Sequence, residues 1–308
     1  MDFVIKRHSL IGIIFIMAGS ILLNGCGQPK SGVRTSFHEN GKVQSEYTYK
    51  NNVKSGKFRE FDEQGNLLAE GEIRGGRTAK IGHTYYMNGR IKTSVHYVDN
   101  KRHGLAKEFY DSGIVRSERN YERDKLNGLA KEYSMQGMVE SERNYWDDQL
   151  RGGAKEYLNG QLRFEKTFDQ DKLNGVTKEY DANGKIKFEK TYRDDVLDGW
   201  TKEYNHKGKT VYEYLYENGV VITTKEFYPD GNIMRLTASK NGKVIGIKEY
   251  YPDGKIMRSR VVREGRPVET EEYYENGSLM NRKYYENNVL IRSEEFDTQG
   301  NLKNAQTF

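Results

Sequence analysis

The chain has 308 residues, with 50 Lys and Arg against 45 Asp and Glu, a formal net charge of +5, and only 35% hydrophobic residues against 31% charged. A single Cys excludes a disulfide-stapled scaffold and any multi-cysteine zinc or iron–sulfur site, and the near-balanced charge carries no nucleic-acid signature. Low hydrophobicity with high charge resembles a disordered chain, but 4 Pro and 23 Tyr argue against it, because disorder favours Pro and avoids aromatics.

The first element is an address. Lys6, Arg7 and His8 precede an apolar run at residues 10–23, which ends in Leu23-Asn24-Gly25-Cys26. A basic start, a short apolar core and small residues at its end describe a secretory signal segment, helical and too short to span a bilayer routinely. Leu-Asn-Gly before the only Cys resembles the lipobox of bacterial lipoproteins. That resemblance implies cleavage before Cys26, acylation of its thiol, and attachment to the membrane through the N-terminal lipid. Gly27 after the Cys implies the outer membrane in a cell that has one. A plain cleaved signal and an uncleaved anchor helix are the alternatives. Residues 26–35, polar and holding Pro29, read as a tether.

From residue 36 to 308 the chain is about eleven repeats. A glycine preceded by turn residues recurs at Gly41, Gly65, Gly89, Gly113, Gly137, Gly160, Gly184, Gly208, Gly231, Gly254, Gly277 and Gly300, always 23 or 24 residues apart. Counting from each marker glycine, offset two is aliphatic (Val43, Val139, Leu279) and offset five is often Glu (Glu118, Glu142, Glu165). Offset eight is mostly aromatic (Tyr121, Tyr145, Tyr192), and offset eleven is a second turn residue (Asn52, Asp148, Gly219). Early repeats add a glycine at offset fifteen (Gly56, Gly128, Gly175), and most units close on Lys-Glu-Tyr/Phe, as at Lys131-Glu132-Tyr133.

Gly, Asn and Asp tolerate the positive φ that hairpin turns demand. The runs between them alternate apolar and charged residues and are rich in Tyr, Val, Ile, Thr and Phe, without a helical period. Each repeat therefore reads as two antiparallel strands and two turns. The marker glycine suits the left-handed last position of a three-residue loop. Offset eight faces offset thirteen across the second turn, and offset twenty faces offset two across the marker turn. Strict alternation cannot satisfy both pairings on one face, so an extra residue is expected as a β-bulge near the glycine at offset fifteen.

No catalytic constellation stands out. The six His (His8, His38, His83, His96, His103 and His206) show no ligand spacing, and no nucleophile elbow, phosphate-cradling loop or Cys/His dyad is present. The chain reads as a non-enzyme with no metal and no cofactor. Glu and Lys recurring in most units read as cross-strand ion pairs. Asp124, Asp148, Asp171 and Asp195, with Asp147 and Asp194 beside them, read as turn chemistry, with a weak calcium-binding edge as the alternative. The best candidate binding surface is the tyrosine rows: Tyr121, Tyr133, Tyr145, Tyr157, Tyr180, Tyr192 and Tyr204, against self-packing within the sheet.

The unit resembles the MORN repeat in its bacterial variant, and looks like the repeats of the YwqK-type antitoxin family, over about residues 36–308. The resemblance implies an all-β fold: an elongated, single-layer antiparallel meander of 23–24-residue hairpin repeats. The expected role is that of a non-catalytic, lipid-anchored envelope protein, binding an unidentified protein partner along its sheet and no nucleic acid. An antitoxin or immunity protein that neutralises a toxin is the first alternative, implied by the resemblance, and a cell-wall glycan binder is the second.

Overall fold

The computed structural model describes residues 30–308. The signal segment, Cys26 and the start of the tether lie outside the described residues. The described chain is all β, in 26 strands joined by tight turns, and divides into two units. The first takes in residues up to Lys101 with Asp111–Gly113; the second takes in Arg102–Tyr110 and Ile114–Phe308. Within each, strands pair antiparallel with their neighbours in sequence, a single-layer meander. The first strand, Gly32–Phe37, already pairs with Val43–Lys50, so pairing begins inside the segment read as a tether.

The turns follow from residue type. The marker glycines all have φ between +75° and +102°. In most of these turns the glycine N–H donates to the carbonyl three residues back, and that same residue's N–H donates to the carbonyl four ahead, as at Ser134, Gly137 and Met138. This is a type I turn closed by a left-handed glycine. The second turns are two-residue loops with both members at positive φ, such as Asp147-Asp148 and Asn218-Gly219, the geometry that matches strand twist.

Two irregularities per repeat set the faces. Near offset fifteen the register slips by two in the early repeats: Tyr145 faces Leu150, but Arg143 faces Ala154. Glycine takes the left-handed position there, φ +107° at Gly128 and +113° at Gly175; in one repeat Lys80 holds it at +62°. After Val220 the slip is by one, as between Tyr216–Val221 and Leu215–Thr223, and no left-handed glycine stands there; Gly246, the one glycine at offset fifteen, is not at positive φ. The period is thus a readout of the bulge: 24 residues with the longer form, 23 with the shorter. The interval Gly137–Gly160 is 23 for another reason, since its marker turn shrinks to the two-residue loop Asn159-Gly160.

The second irregularity lies just past each marker, where one residue is extra: Tyr133 faces Val139, but Glu132 faces Ser141, leaving Glu140 over. A two-residue slip leaves the alternation of side chains unchanged, whereas a one-residue slip inverts it. The bulge at offset three, not the one at offset fifteen, therefore reconciles the two pairings in the early repeats. It puts offsets two and twenty on one face and offsets eight and thirteen on the other.

Packing is thin, as a single layer requires. In the first unit Tyr47, Phe58, Ala69 and Ile73 form a buried cluster, with the Tyr47 and Phe58 rings stacked 5.5 Å apart. In the second unit the buried positions hold small side chains, Ser117, Ala130, Ser141, Ala154, Thr177 and Thr201, with Glu294 the exception. Among the described residues no large side chain is fully buried.

Candidate binding surface

The seven tyrosines read as one surface divide between two faces. Tyr133, Tyr157, Tyr180 and Tyr204 stand at offset twenty; Tyr121, Tyr145 and Tyr192 stand at offset eight, on the other side. Their electrostatic neighbours differ accordingly. Tyr133 senses Glu118 and Glu142, while Tyr145 senses Arg143, Glu132 and Arg119. All seven are half-buried.

On the first face the tyrosines belong to a ladder. The hydroxyl of Tyr133 donates to Glu118 at 2.9 Å, Tyr157 to Glu142 at 3.2 Å, Tyr180 to Glu165 at 2.7 Å and Tyr204 to Glu189 at 2.8 Å. Each glutamate also faces a lysine: Lys107 with Glu118 at 2.7 Å, Lys131 with Glu142 at 2.8 Å, Lys155 with Glu165 at 3.6 Å and Lys178 with Glu189 at 3.7 Å. The lysine contact first, and the tyrosine hydroxyl after it, hold Glu118 below the usual carboxylate range. Burial, then the hydrogen bond to glutamate, pushes Tyr133, Tyr180 and Tyr204 up to about 12. The Lys-Glu-Tyr motif is thus a repeated cross-strand device, and its tyrosine hydroxyls are engaged within the sheet.

The opposite face has a second ladder. Arg119 reaches Glu108 at 3.7 Å and Glu132 at 3.2 Å, and Arg143 reaches Glu132 at 3.6 Å, above the buried Ser117 and Ser141. In the later repeats Arg235 and Arg258 continue it, bridging Glu226, Glu249 and Glu272. Tyr121 lies under the Arg102 guanidinium at 4.0 Å.

The aspartate row holds neighbouring repeats together. The carboxylate of Asp148 accepts the Leu126 N–H at 2.7 Å, while its own N–H donates to the Leu126 carbonyl at 2.9 Å. Asp171 does the same with Leu150, and Asp195 with Leu173. Among the described residues no group of three or more His, Cys, Asp or Glu is placed to hold a metal ion.

Sequence reasoning missed a third row. The residue after the offset-fifteen glycine lies on the face of the Tyr–Glu–Lys ladder: Leu105, Leu129, Gly153, Val176 and Trp200. Its exposed members are 36% (Leu129), 44% (Val176) and 36% (Trp200) open to solvent. The bulge leaves their carbonyls without ladder partners, and offset-seven side chains supply them: Asn120 to Leu129, Asn144 to Gly153 and Thr191 to Trp200, each at 2.8 Å. An apolar residue following each bulge glycine was the signal that could have found this row.

Four segments match the family described as MORN repeat variant: residues 30–51, 102–123, 173–194 and 267–287. Each runs from offset thirteen, across a marker turn, to offset ten, so the family's unit is the hairpin around a marker glycine. No curated protein matches the chain. Among solved structures, the crystal structure of TcdB2-TccC3 is 13% identical, over 89% of this chain and 18% of that one, with a TM-score of 0.20. Those of TcdB2-TccC3-TEV and TcdB2-TccC3-Cdc42 are each 14% identical over 89% of this chain and 15% of theirs, with TM-scores of 0.16. The chain therefore spans under a fifth of the length of those chains, and superpositions this loose carry no argument. The four matched hairpins and the unbroken marker spacing make the chain a MORN-like repeat protein.

Proposed function

We propose that this MORN-like chain is a non-catalytic, lipid-anchored protein of the bacterial cell envelope that binds a protein partner through its repeat sheet. The carrying observation is the half-open apolar row Leu129, Val176 and Trp200, on a sheet whose charged side chains largely satisfy one another. Apolar side chains left half-open in register along one face support an interaction site there. The anchor rests on Leu23-Asn24-Gly25-Cys26. Two or three acyl chains on Cys26 hold a protein stably to a bilayer, at about 0.8 kcal/mol per buried CH₂.

Crosslinking and capture of the mature protein from its own cells tests the partner. A Leu129→Ser/Val176→Ser double variant is expected to lose a captured protein that the wild type retains. Cys26→Ser is expected to move the protein from the membrane fraction to the soluble one; unchanged partitioning removes the anchor from the proposal.

A further inference from the structure

Gly153 interrupts the apolar row where nothing in the backbone asks for glycine. Its neighbour Gly152 has φ +92°, but Gly153 is not at positive φ, and a Cβ built on it meets no atom within 4 Å. Leu129 and Val176 stand two strands away on either side, a span of roughly 19 Å at the usual strand spacing. An open depression of about 380 Å³ lies between them, with Gly153, Asn144 and Thr167 in its lining. Its floor is Gly153 and Asn144, and Lys155 and Lys178 stand at its rim.

The charge at that rim is one-sided in its availability. Glu142 is held by Lys131 at 2.8 Å and by the Tyr157 hydroxyl at 3.2 Å, and Glu165 by the Tyr180 hydroxyl at 2.7 Å. Lys155 and Lys178, by contrast, stand 3.6 and 3.7 Å from their glutamates, beyond hydrogen-bond distance. The two ammonium groups are thus ion-paired but not hydrogen-bonded to their glutamates, whereas each carboxylate already accepts at least one short hydrogen bond.

We propose that the gap at Gly153 is a socket for one aromatic side chain of the protein partner, flanked there by carboxylates that engage Lys155 and Lys178. This rests on the partner-binding reading above. Leu129 and Val176 offer apolar contact to the two ends of the ring, and the two lysines fix its sequence context, as an anchor residue with a charged border does at protein interfaces.

The test uses three capped peptides, Glu-Glu-Trp-Glu-Glu, Glu-Glu-Ala-Glu-Glu and Lys-Lys-Trp-Lys-Lys, titrated against the full chain with methyl groups observed by NMR. The acidic tryptophan peptide is expected to shift the Leu129 and Val176 methyl signals saturably, and the other two to bind at least tenfold more weakly. Gly153→Leu fills the socket and is expected to weaken the acidic peptide at least tenfold with an unchanged or raised melting temperature. Gly153→Ala provides the same comparison with a smaller loss should the leucine variant fail to fold. Lys155→Gln/Lys178→Gln is expected to abolish the preference for acidic over basic flanks. Binding unchanged in the filled variants, equal binding of the basic peptide, or no saturable shift at Leu129 and Val176 overturns the socket. Capture of the same cellular partner by Gly153→Leu as by wild type overturns the socket alone. Absence of any partner from the wild-type capture overturns the reading beneath it.

Discussion

Replacing Gly56 by alanine puts a methyl group where the bulge has no room for one. Gly56 sits at φ +135°, and a Cβ there would lie 2.7 Å from the Thr48 Cβ and 2.8 Å from its Cγ2. Thr48 cannot turn away without cost, because its hydroxyl donates to the Lys57 carbonyl at 2.9 Å. Holding alanine in a glycine-only region costs about 1–3 kcal/mol. Overpacking adds about 1–3 kcal/mol. The expected loss is therefore about 2–6 kcal/mol. Gly128→Ala meets Asn120 only at 3.5 Å, an ordinary contact, so it carries the backbone cost alone, about 1–3 kcal/mol. Lys80 shows that the site accepts a side chain once φ falls to +62°. Stability in a repeat sheet is close to a sum over neighbours, so each variant should be read by amide exchange in its own bulged strand as well as by urea unfolding. If Gly56→Ala and Gly128→Ala cost the same within about 0.5 kcal/mol, the steric account of the bulge is wrong.

Alkaline conditions should unfold the sheet through its tyrosine ladder. Tyr85, Tyr133, Tyr180, Tyr204 and Tyr273 are pushed up to about 12, by burial first and the glutamate hydrogen bond second. A tyrosine ionises near pH 10 in the unfolded chain, so this stabilisation is complete below about pH 10 and is lost as pH rises to about 12. Thermal melts at stepped pH with tyrosinate absorbance would show it; melting indifferent to that window counts against the ladder. Asp148→Ala should cost about 2 kcal/mol, combining the lost bond to the Leu126 N–H with alanine at φ +69°. Asp148→Gly should cost less, since glycine accepts that φ, as Gly219 does in the later repeats. Chemical denaturation ranks the two, and an alanine variant as stable as the glycine one would refute the clamp.

The hairpins were legible because their turns need residue types that announce themselves: Gly41 or Gly137 at a left-handed corner, Asn52 or Asp148 at a two-residue loop. The faces were not. The extra residue after each marker is Gln44, Leu68, Arg116, Glu140 or Arg163, with no common chemistry, because that bulge needs no special φ. Without it, Tyr133 and Tyr145 read as one surface, when Tyr133 donates to Glu118 and Tyr145 lies beside Arg143 and Glu132 on the reverse side. The change of period from 24 to 23 was visible in the spacing, but its cause, a bulge shortened by one residue, required the cross-strand register.

The aspartate clamp bears on how such a chain can change in length. Asp148 holds Leu126, Asp171 holds Leu150 and Asp195 holds Leu173, so each clamp reaches back one repeat and no further. The Tyr–Glu–Lys ladder has the same short reach, with 15 residues between Tyr133 and Glu118. A gene duplication or deletion of one 24-residue unit would leave every remaining clamp and rung with a partner of the same kind. Where repeats share these contacts, unit number is a free variable for evolution, adjustable by recombination between segments of like sequence. What distinguishes one copy from the next is then its unshared positions, such as the glycine at 153.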